Sequence, residues 1–173
     1  LKPGDVVLIE GQSRVSSAIQ FITNSNWSHA AIFIGKTDTC NHCLIEVKAV
    51  DGCRYTDIDV YMHHNLRICR PVFLNNRKRT VLIKYLIKKI GSKYDLKNIF
   101  DLIRFAYPNP PVPKKYRRNL IGIGAGDPTK AICSSLIAEA FKEIQHPILP
   151  FKDKSESIII RHPTFCLPKD FDI

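Results

Sequence analysis

Long apolar runs are missing from this sequence of 173 residues. No stretch approaches the roughly 20 apolar residues that a membrane-spanning helix needs, and residues 1–9 enter a turn and a strand without the hydrophobic segment of a signal peptide. We therefore expect a soluble chain without a transmembrane segment. Its compartment stays open between the cytoplasm and an exported location, because the chain begins at Leu1 and a leader removed by cleavage would leave the same start.

Acidic residues are scarce: 16 Asp and Glu stand against 26 Lys and Arg, which gives a formal net charge of +10. The positive charge is concentrated at residues 77–79 and 114–118. Such a charge favours anionic partners, and an anionic membrane surface is one candidate. Nucleic acid is a poor candidate, because the basic segments come without an RNP-type aromatic motif, a zinc-finger spacing or a helix-turn-helix.

Internal repeats and low-complexity tracts are also missing, and the length is ordinary for one domain, so we predict a single domain over residues 1–173. Six cysteines are present, but a chain of this size folds without needing disulfides. Cys40 and Cys43 have the C-x-x-C spacing of a zinc or redox half-site, yet no second half-site of that kind follows. Side chains that could in principle complete such a site are Cys53, Cys69, His63 and His64. We expect no metal and no cofactor, and the role of Cys40 and Cys43 stays open.

Hydrophobic periodicity predicts both strands and helices. Strands are expected at 6–9, 30–34, 43–50 and 67–74; the second and third should form an antiparallel hairpin, and Pro71 places the fourth at an edge or bulge. Helices are expected at 13–22, with Ser13 as N-cap, and at 80–90, 95–105 and 134–144. The proline-containing segment 107–130 is expected to be a loop that borders a substrate cleft, and 161–171 an ordered terminal segment.

A cysteine, a histidine and a glutamate stand where nucleophilic catalysis would need them. Cys133 begins an amphipathic helix, where free backbone N–H groups and the helix dipole favour the reactive thiolate. His29 lies at the start of a hydrophobic strand and can act as the base. Glu46 alternates with apolar neighbours on the following strand, so its carboxylate faces the other side of the sheet and can orient the imidazole.

Each of these residues also has a structural interpretation when it is taken singly. Cys133 could be a small packing residue, His29 a strand-edge residue satisfied by water, and Glu46 a solvent-facing glutamate. Asp51 and Asp57 are weaker candidates for the acid, because turn chemistry would explain them equally well. The combination of the three residues with their flanking patterns is what favours catalysis.

Five motifs occur in an order that resembles circularly permuted papain-like enzymes. They are Gly4-Asp5-Val6-Val7-Leu8, Trp27-Ser28-His29-Ala30-Ala31-Ile32-Phe33-Ile34-Gly35, Leu44-Ile45-Glu46, Tyr94-Asp95 and Cys133-Ser134-Ser135-Leu136-Ile137. Ordinary papain-like chains place the cysteine before the histidine, whereas this chain runs His29, Glu46, Cys133. The similarity is greatest to the YiiX-like branch of the NlpC-type superfamily and more distant to lecithin retinol acyltransferase.

This resemblance implies an α+β fold in which a small antiparallel sheet packs against helices, including the helix that carries the nucleophile. It also implies a metal-free hydrolase or acyltransferase that works through a thioester. Cys133 would be the nucleophile, His29 the base and acid, and Glu46 the orienting acid. Tyr94 matches a family tyrosine that lines the cleft, and we assign Trp27 to the substrate site, where it would pack beside the imidazole.

Three functions are compatible with these features. The first is a cysteine hydrolase, amidase- or peptidase-like, that cleaves an amide or ester bond through an acyl-thioenzyme; its substrate would be a small acylated amine, a peptide or a lipid. The second is a lipid-directed acyltransferase or phospholipase that uses the same thiol, which the positive charge motivates. The third is a non-catalytic basic binding module.

Overall fold

A computed structural model describes residues 1–48, 51–93, 132–146, 148, 150–152, 158–160, 163 and 166–172. Five of its strands form one antiparallel sheet: β1 (Val6–Glu10), β2 (His29–Gly35), β3 (Cys43–Lys48), β4 (Gly52–Asp57) and β5 (Asn65–Cys69). Their order across the sheet is β4-β3-β2-β1-β5. Two short strands, β6 (Pro150–Lys152) and β7 (Ile158–Ile160), pair separately.

Three α-helices accompany the sheet: α1 (Arg14–Thr23), α2 (Asn76–Lys88) and α3 (Ile132–Glu143). Two 3-10 helices, η1 (Ile58–Tyr61) and η2 (Pro168–Phe171), complete the described elements. The sheet packed against helices confirms the predicted α+β class. Among the described helices, none combines the length and the apolar character needed to cross a membrane.

Each face of the sheet has its own hydrophobic cluster, whereas the edge strand β5 is largely exposed. On one face, inward residues of the sheet such as Leu8 and Ile32 pack against Leu82 of α2 and Phe141 of α3. On the other face, residues such as Val7 and Leu44 pack with Ile58 and Tyr61 of η1. Alternation along each strand explains the division, because successive side chains point to opposite faces.

The first strands and the first helix follow the sequence prediction closely. The Ser13 side chain caps α1 by accepting a hydrogen bond from the Ser16 N–H at 3.1 Å. The β2–β3 pair is the predicted antiparallel hairpin. These elements were readable because their apolar residues recur at the period of the structure that they form.

Three elements differ from the prediction. The strand expected at 67–74 lies at the sheet edge but spans Asn65–Cys69, so it ends before Pro71, which has no N–H for a ladder. Helix α2 starts four residues before the expected Thr80, because the Asn75 side chain caps it by accepting from the Lys78 N–H at 2.8 Å. Strand β4 was not predicted. The helix expected at 95–105 and the loop expected at 107–130 lie outside the described residues.

Strand β4 was missed because its sequence offers few aliphatic side chains, yet backbone contacts hold it firmly. The Cys53 N–H donates to the Ser92 carbonyl at 3.0 Å, and the Gly91 N–H donates back to the Cys53 carbonyl at 2.8 Å. Gly52 adopts φ 73° here, and a Cβ atom on it would lie 2.3 Å from the Ser92 oxygen. Glycine therefore allows the segment after α2 to close against β4.

Candidate active site

The histidine and the glutamate are placed by adjacent strands of the sheet. His29 is the first residue of β2, and Glu46 lies within β3. Because Ile32 pairs with Ile45, the two side chains occupy diagonal positions on the same face. The His29 Nε2 atom lies 2.8 Å from Glu46 Oε2. The sheet thus holds one ring nitrogen against the carboxylate.

The cysteine comes from the distant part of the chain. Cys133 is the second residue of α3, which packs on β2 and β3 through buried residues such as Leu136 and Ile137. The start of this helix is fixed to the C-terminal segment, since the Ser134 hydroxyl donates to the Cys166 carbonyl at 2.6 Å. Packing of the helix on the sheet therefore brings the thiol to the start of β2, where His29 lies.

Cys133 and His29 form a hydrogen-bonded pair. The sulfur contacts the imidazole and accepts the backbone N–H groups of Ala30 and Ser134. Because Glu46 engages Nε2, Nδ1 is the ring nitrogen left to face the sulfur. The structure thus brings together three side chains that lie up to 104 positions apart in the sequence.

The electrostatics of this pair favour a thiolate beside an imidazolium. Burial by itself would raise the pKa of the Cys133 thiol, but the His29 charge, the hydrogen bond to His29 and the two backbone N–H groups lower it below its ordinary value. Burial would likewise lower the pKa of His29, and the sulfur and Glu46 together raise it to about 10. Each group stabilises the charged form of the other, which is the state that a thiol nucleophile needs.

Glu46 is almost completely buried, at 1% exposure, and is surrounded by donors. Its Oε1 atom accepts from the Thr56 hydroxyl at 2.7 Å and from Arg54 Nε at 3.1 Å. Its Oε2 atom accepts from the Tyr61 hydroxyl as well as facing His29. Burial raises the pKa of Glu46, but His29, Tyr61 and Thr56 outweigh it and hold the pKa far below the usual range. Glu46 is therefore ionised and fixed, not solvent-facing.

Three partners of Glu46 were not anticipated from the sequence: Arg54, Thr56 and Tyr61. For Arg54 a signal existed, because it pairs directly with Glu46 in the β3–β4 register, and Thr56 follows two residues later on the same face. This signal could be used only if β4 had been predicted as a strand. Tyr61 comes from η1, where no strand periodicity applies.

Trp27 and Tyr94 were predicted to line the substrate site. The indole Nε1 of Trp27 donates to Asp172 Oδ2 at 2.8 Å. The ring packs against the hydrophobic cluster that lies between the sheet and helices α2 and α3. Its N–H group is thus engaged within the protein and ties the C-terminal segment to the strand that begins at His29. Tyr94 lies outside the described residues, so its role stays a prediction.

The alternative acids have local roles. Asp51 forms an ion pair with Arg54 at 2.7 Å. Asp57 accepts backbone N–H groups of Asn41, His42 and Asp59, so it caps η1 and fixes the preceding hairpin loop. Neither contacts His29 in this network, and the carboxylate that does is that of Glu46.

Two groups of side chains have residue types that bind metals. Cys40 and Cys43 are joined by a disulfide, so the pair does not present two thiolates to a metal. Within the described part of the chain, His42, Asp57 and Asp59 place ligand atoms within 4.8 Å of one another. The hydrogen bonds of Asp57 already account for the position of its carboxylate, so this cluster has an explanation that needs no ion.

Comparison with solved structures agrees with the fold. The structure of the metalloprotein YiiX from Escherichia coli O157:H7 superimposes with a TM-score of 0.56 at 16% identity, covering 95% of this chain and 77% of that one. At this level of identity the similarity establishes the fold alone.

Comparison with sequences is more specific. The probable lipoprotein peptidase YaeF of Escherichia coli (strain K12) is 23% identical over 164 residues, which cover 86% of this chain. The chain spans only 58% of the length of that relative. A family model described as the permuted papain-like amidase enzyme, YaeF/YiiX, C92 family, matches residues 1–107, a range that includes His29 and Glu46 and ends before Cys133. The chain belongs to this family of permuted papain-like amidases.

Proposed function

We propose that the protein is a cysteine hydrolase that cleaves an amide or ester bond through an acyl-thioenzyme. The observation that carries the proposal is the hydrogen-bonded series Cys133–His29–Glu46, in which the thiol pKa is lowered although the thiol is buried. Membership of a permuted papain-like amidase family supports the reaction class. A structural cysteine in the same surroundings would need neither the imidazole nor the buried carboxylate.

In the first half of the reaction, the Cys133 thiolate attacks the carbonyl carbon of the substrate, and the carbonyl oxygen becomes an oxyanion. Imidazolium at His29 then gives its Nδ1 proton to the leaving amine or alcohol. The bond between the acyl carbon and the leaving group breaks, and a thioester remains on Cys133. The Cys133 backbone N–H is our first candidate for an oxyanion donor.

In the second half, neutral His29 accepts a proton from water as the water oxygen attacks the thioester carbon. Collapse of this second tetrahedral intermediate breaks the carbon–sulfur bond, releases the acid and restores the thiolate–imidazolium pair. Glu46 does not transfer a proton in this scheme. Its fixed charge keeps the ring oriented and stabilises the imidazolium whenever it forms.

Trapping the thioester tests this mechanism directly. The protein is incubated with a panel of acylated amines, peptides and lipids. Its intact mass is then measured, and peptide mapping locates any adduct. We expect an acyl adduct on Cys133 that hydroxylamine removes, and no adduct on Cys133→Ala. An adduct confined to another cysteine, or turnover that survives in Cys133→Ala, would refute the proposed nucleophile.

The acceptor distinguishes hydrolysis from acyl transfer with the same thiol. If water is the acceptor, the acyl group is recovered as the free acid even when amines or alcohols are added. Recovery of the acyl group mainly on an added amine or lipid alcohol would instead identify an acyltransferase. The free acid is the outcome that we expect for a member of an amidase family.

A further inference from the structure

We propose that the outer face of α2, together with the turn that precedes it, is a docking surface for a bilayer containing anionic phospholipids. The surface consists of an apolar tip, Val72 and Phe73, and a basic α2 face, Arg77, Val81, Lys84 and Lys88. None of these residues takes part in the thiol site, so the inference goes beyond the proposed reaction.

The apolar tip is presented to solvent. Val72 is 65% exposed and Phe73 is 93% exposed. Phe73 adopts φ 60°, a left-handed conformation that is unfavourable for a residue other than glycine. A phenyl ring left in water also forgoes the stabilisation that its burial would provide. The turn therefore bears two costs in order to hold an aromatic side chain outward, and a ligand that covers the ring would offset the second.

The helix that follows is strongly basic. Its sequence contains Arg77, Lys78, Arg79, Lys84 and Lys88 and no acidic residue. Three of these cations occupy the first turn, where the helix dipole is unfavourable for positive charge. The helix dipole does not explain these cations, and for Arg77 attraction to an anionic surface does.

The side chains of the basic α2 face share one side of the helix. Arg77, Val81, Lys84 and Lys88 follow each other at spacings of four, three and four residues, which places them in one row. All four are exposed, whereas Leu82 and Leu86 on the opposite side are buried in the core. The row runs along the helix from its first turn to its last residue.

The cations of this row are available to an external anion. Within the residues that the structure describes, no carboxylate forms an ion pair with Arg77, Lys84 or Lys88. The neighbouring cations have other roles: Lys78 Nζ donates to the Gln145 carbonyl at 3.0 Å, and Arg79 NH2 donates to the Leu74 carbonyl at 3.2 Å. These two side chains fix the helix and the turn, while the outer row stays in solvent.

Two acidic side chains of α3 border one flank of α2. Glu139 and Glu143 of α3 border a groove of about 390 Å³ that they share with Tyr85 of α2. Tyr85 lies on the flank of the helix that turns toward α3, one residue after Lys84. None of the four residues of the basic α2 face lines this groove.

A lipid surface matches both parts of this arrangement. An apolar tip enters the boundary between headgroups and acyl chains, and cations beside it remain at the level of the phosphates. Each Lys or Arg held near an anionic leaflet strengthens binding by about fivefold at physiological salt. A nucleic acid would satisfy the cations but not Val72 and Phe73.

Sedimentation with vesicles tests the proposal. The protein is mixed with vesicles of phosphatidylcholine, with and without phosphatidylserine, at low and high salt. We expect binding only to the phosphatidylserine vesicles, and weaker binding at high salt. Lys84→Gln combined with Lys88→Gln should weaken binding roughly 30-fold, and Phe73→Ser roughly 10-fold or more.

A matched control separates this surface from the general positive charge. Arg14 and Lys36 are exposed and lie outside α2, so Arg14→Gln combined with Lys36→Gln makes the same change in net charge. It should leave binding nearly unchanged. Equal weakening by the two double variants would overturn the proposal, as would equal binding to neutral vesicles or full binding by Phe73→Ser. Binding of an acidic peptide in place of vesicles would overturn it in favour of a protein partner.

This test does not depend on catalysis. Cys133→Ala should bind vesicles as the unaltered protein does, because Cys133 lies outside the docking surface. Turnover that survives in Cys133→Ala would refute the catalytic proposal and leave the docking surface standing. Equal weakening of vesicle binding by the two double variants would overturn the docking surface and leave the catalytic proposal standing.

Discussion

Cys133 and Cys53 are both buried, at 7% and 1% exposure, yet their thiols are shifted in opposite directions. Burial raises the pKa of Cys53, the Lys89 charge lowers it and the Glu46 charge raises it, with a net value of about 11. Burial acts in the same sense on Cys133, but His29 and two backbone N–H groups reverse the result. Removal from water therefore does not activate a thiol. The partners that stabilise the thiolate do.

The same carboxylate has opposite effects at the two cysteines. Glu46 acts on Cys53 through its negative charge and disfavours a thiolate there. At the other site, Glu46 stabilises the His29 imidazolium, and the imidazolium then favours the Cys133 thiolate. An intervening histidine thus converts a repulsive charge into an activating one, which is why the position of the imidazole matters most.

Replacing each of the two cysteines by alanine should give the largest difference in kcat/KM. Cys133→Ala should lower kcat/KM by roughly 10⁴- to 10⁶-fold, since Cys133 carries the acyl group in the proposed mechanism. Cys53→Ala should leave kcat/KM nearly unchanged, although it removes a core side chain. Both are measured on the substrate identified by adduct trapping. Similar losses in the two variants would contradict the contrast between the thiols.

Removal of the imidazole should make Cys133 behave like Cys53. In His29→Ala only the two backbone N–H groups still oppose the effect of burial. The pKa of the Cys133 thiol therefore rises, and its alkylation by iodoacetamide at pH 7 should slow roughly 100-fold. Peptide mapping of the same sample also measures the alkylation of Cys53 and Cys69, and the alkylation rates of these two cysteines should not change. Unaltered labelling of Cys133 in this variant would exclude activation by His29.

Removal of the carboxylate charge should have a smaller effect and should move the pH profile. In the unaltered protein, activity should fall as pH drops below the lowered Cys133 pKa and fall again as pH rises through the His29 pKa of about 10. Glu46→Gln weakens the imidazolium, so the alkaline limb should move to lower pH, with a loss of roughly 10²-fold in kcat.

Asp51→Asn is the matched control for this prediction. It also removes a carboxylate that pairs with Arg54, but Asp51 does not contact His29. The alkaline limb of the pH–activity profile of Asp51→Asn should lie at the same pH as in the unaltered protein. A displacement of equal size in both variants would mean that total charge, rather than the contact with the imidazole, sets the profile.

Loss of one donor to Glu46 should affect stability more than activity. Tyr61→Phe removes a hydrogen bond to a buried charge and should lower the free energy of unfolding by about 1.5–3 kcal/mol. His29 keeps its contact with Oε2, so kcat should change little. Urea unfolding measures the first effect, and Tyr55→Phe, on the opposite face of the sheet, serves as control. A large loss of kcat without loss of stability would assign Tyr61 a direct catalytic role.

The sequence predicted the elements whose pattern is local. Strands β1, β2 and β3 and helix α1 have regular apolar spacing, and Ser13 marks a helix start by side-chain chemistry alone. Strand β4 has no such pattern, and α2 was predicted too short because polar and basic residues occupy its first turn. The prediction of a single domain over residues 1–173 stays a prediction.

The candidate site could be predicted in part for the same reason. Alternation along β3 indicated that Glu46 faces away from Ile45 and Val47, and the helix start indicated a reactive position for Cys133. Neither pattern predicted that Arg54, Thr56 and Tyr61 would surround the carboxylate. Those contacts depend on a register and on a 3-10 helix that the local sequence does not reveal.

What the sequence determined by itself was the chemical inventory: one thiol at a helix start, one imidazole at a strand end and one carboxylate on the next strand. Only the tertiary structure decided that Cys133 reaches His29 while Cys53 packs within the hydrophobic cluster. The physical reason is distance. Charge coupling between ionisable groups weakens as their separation grows, and separation in space is set by how the helix packs on the sheet, not by position along the chain.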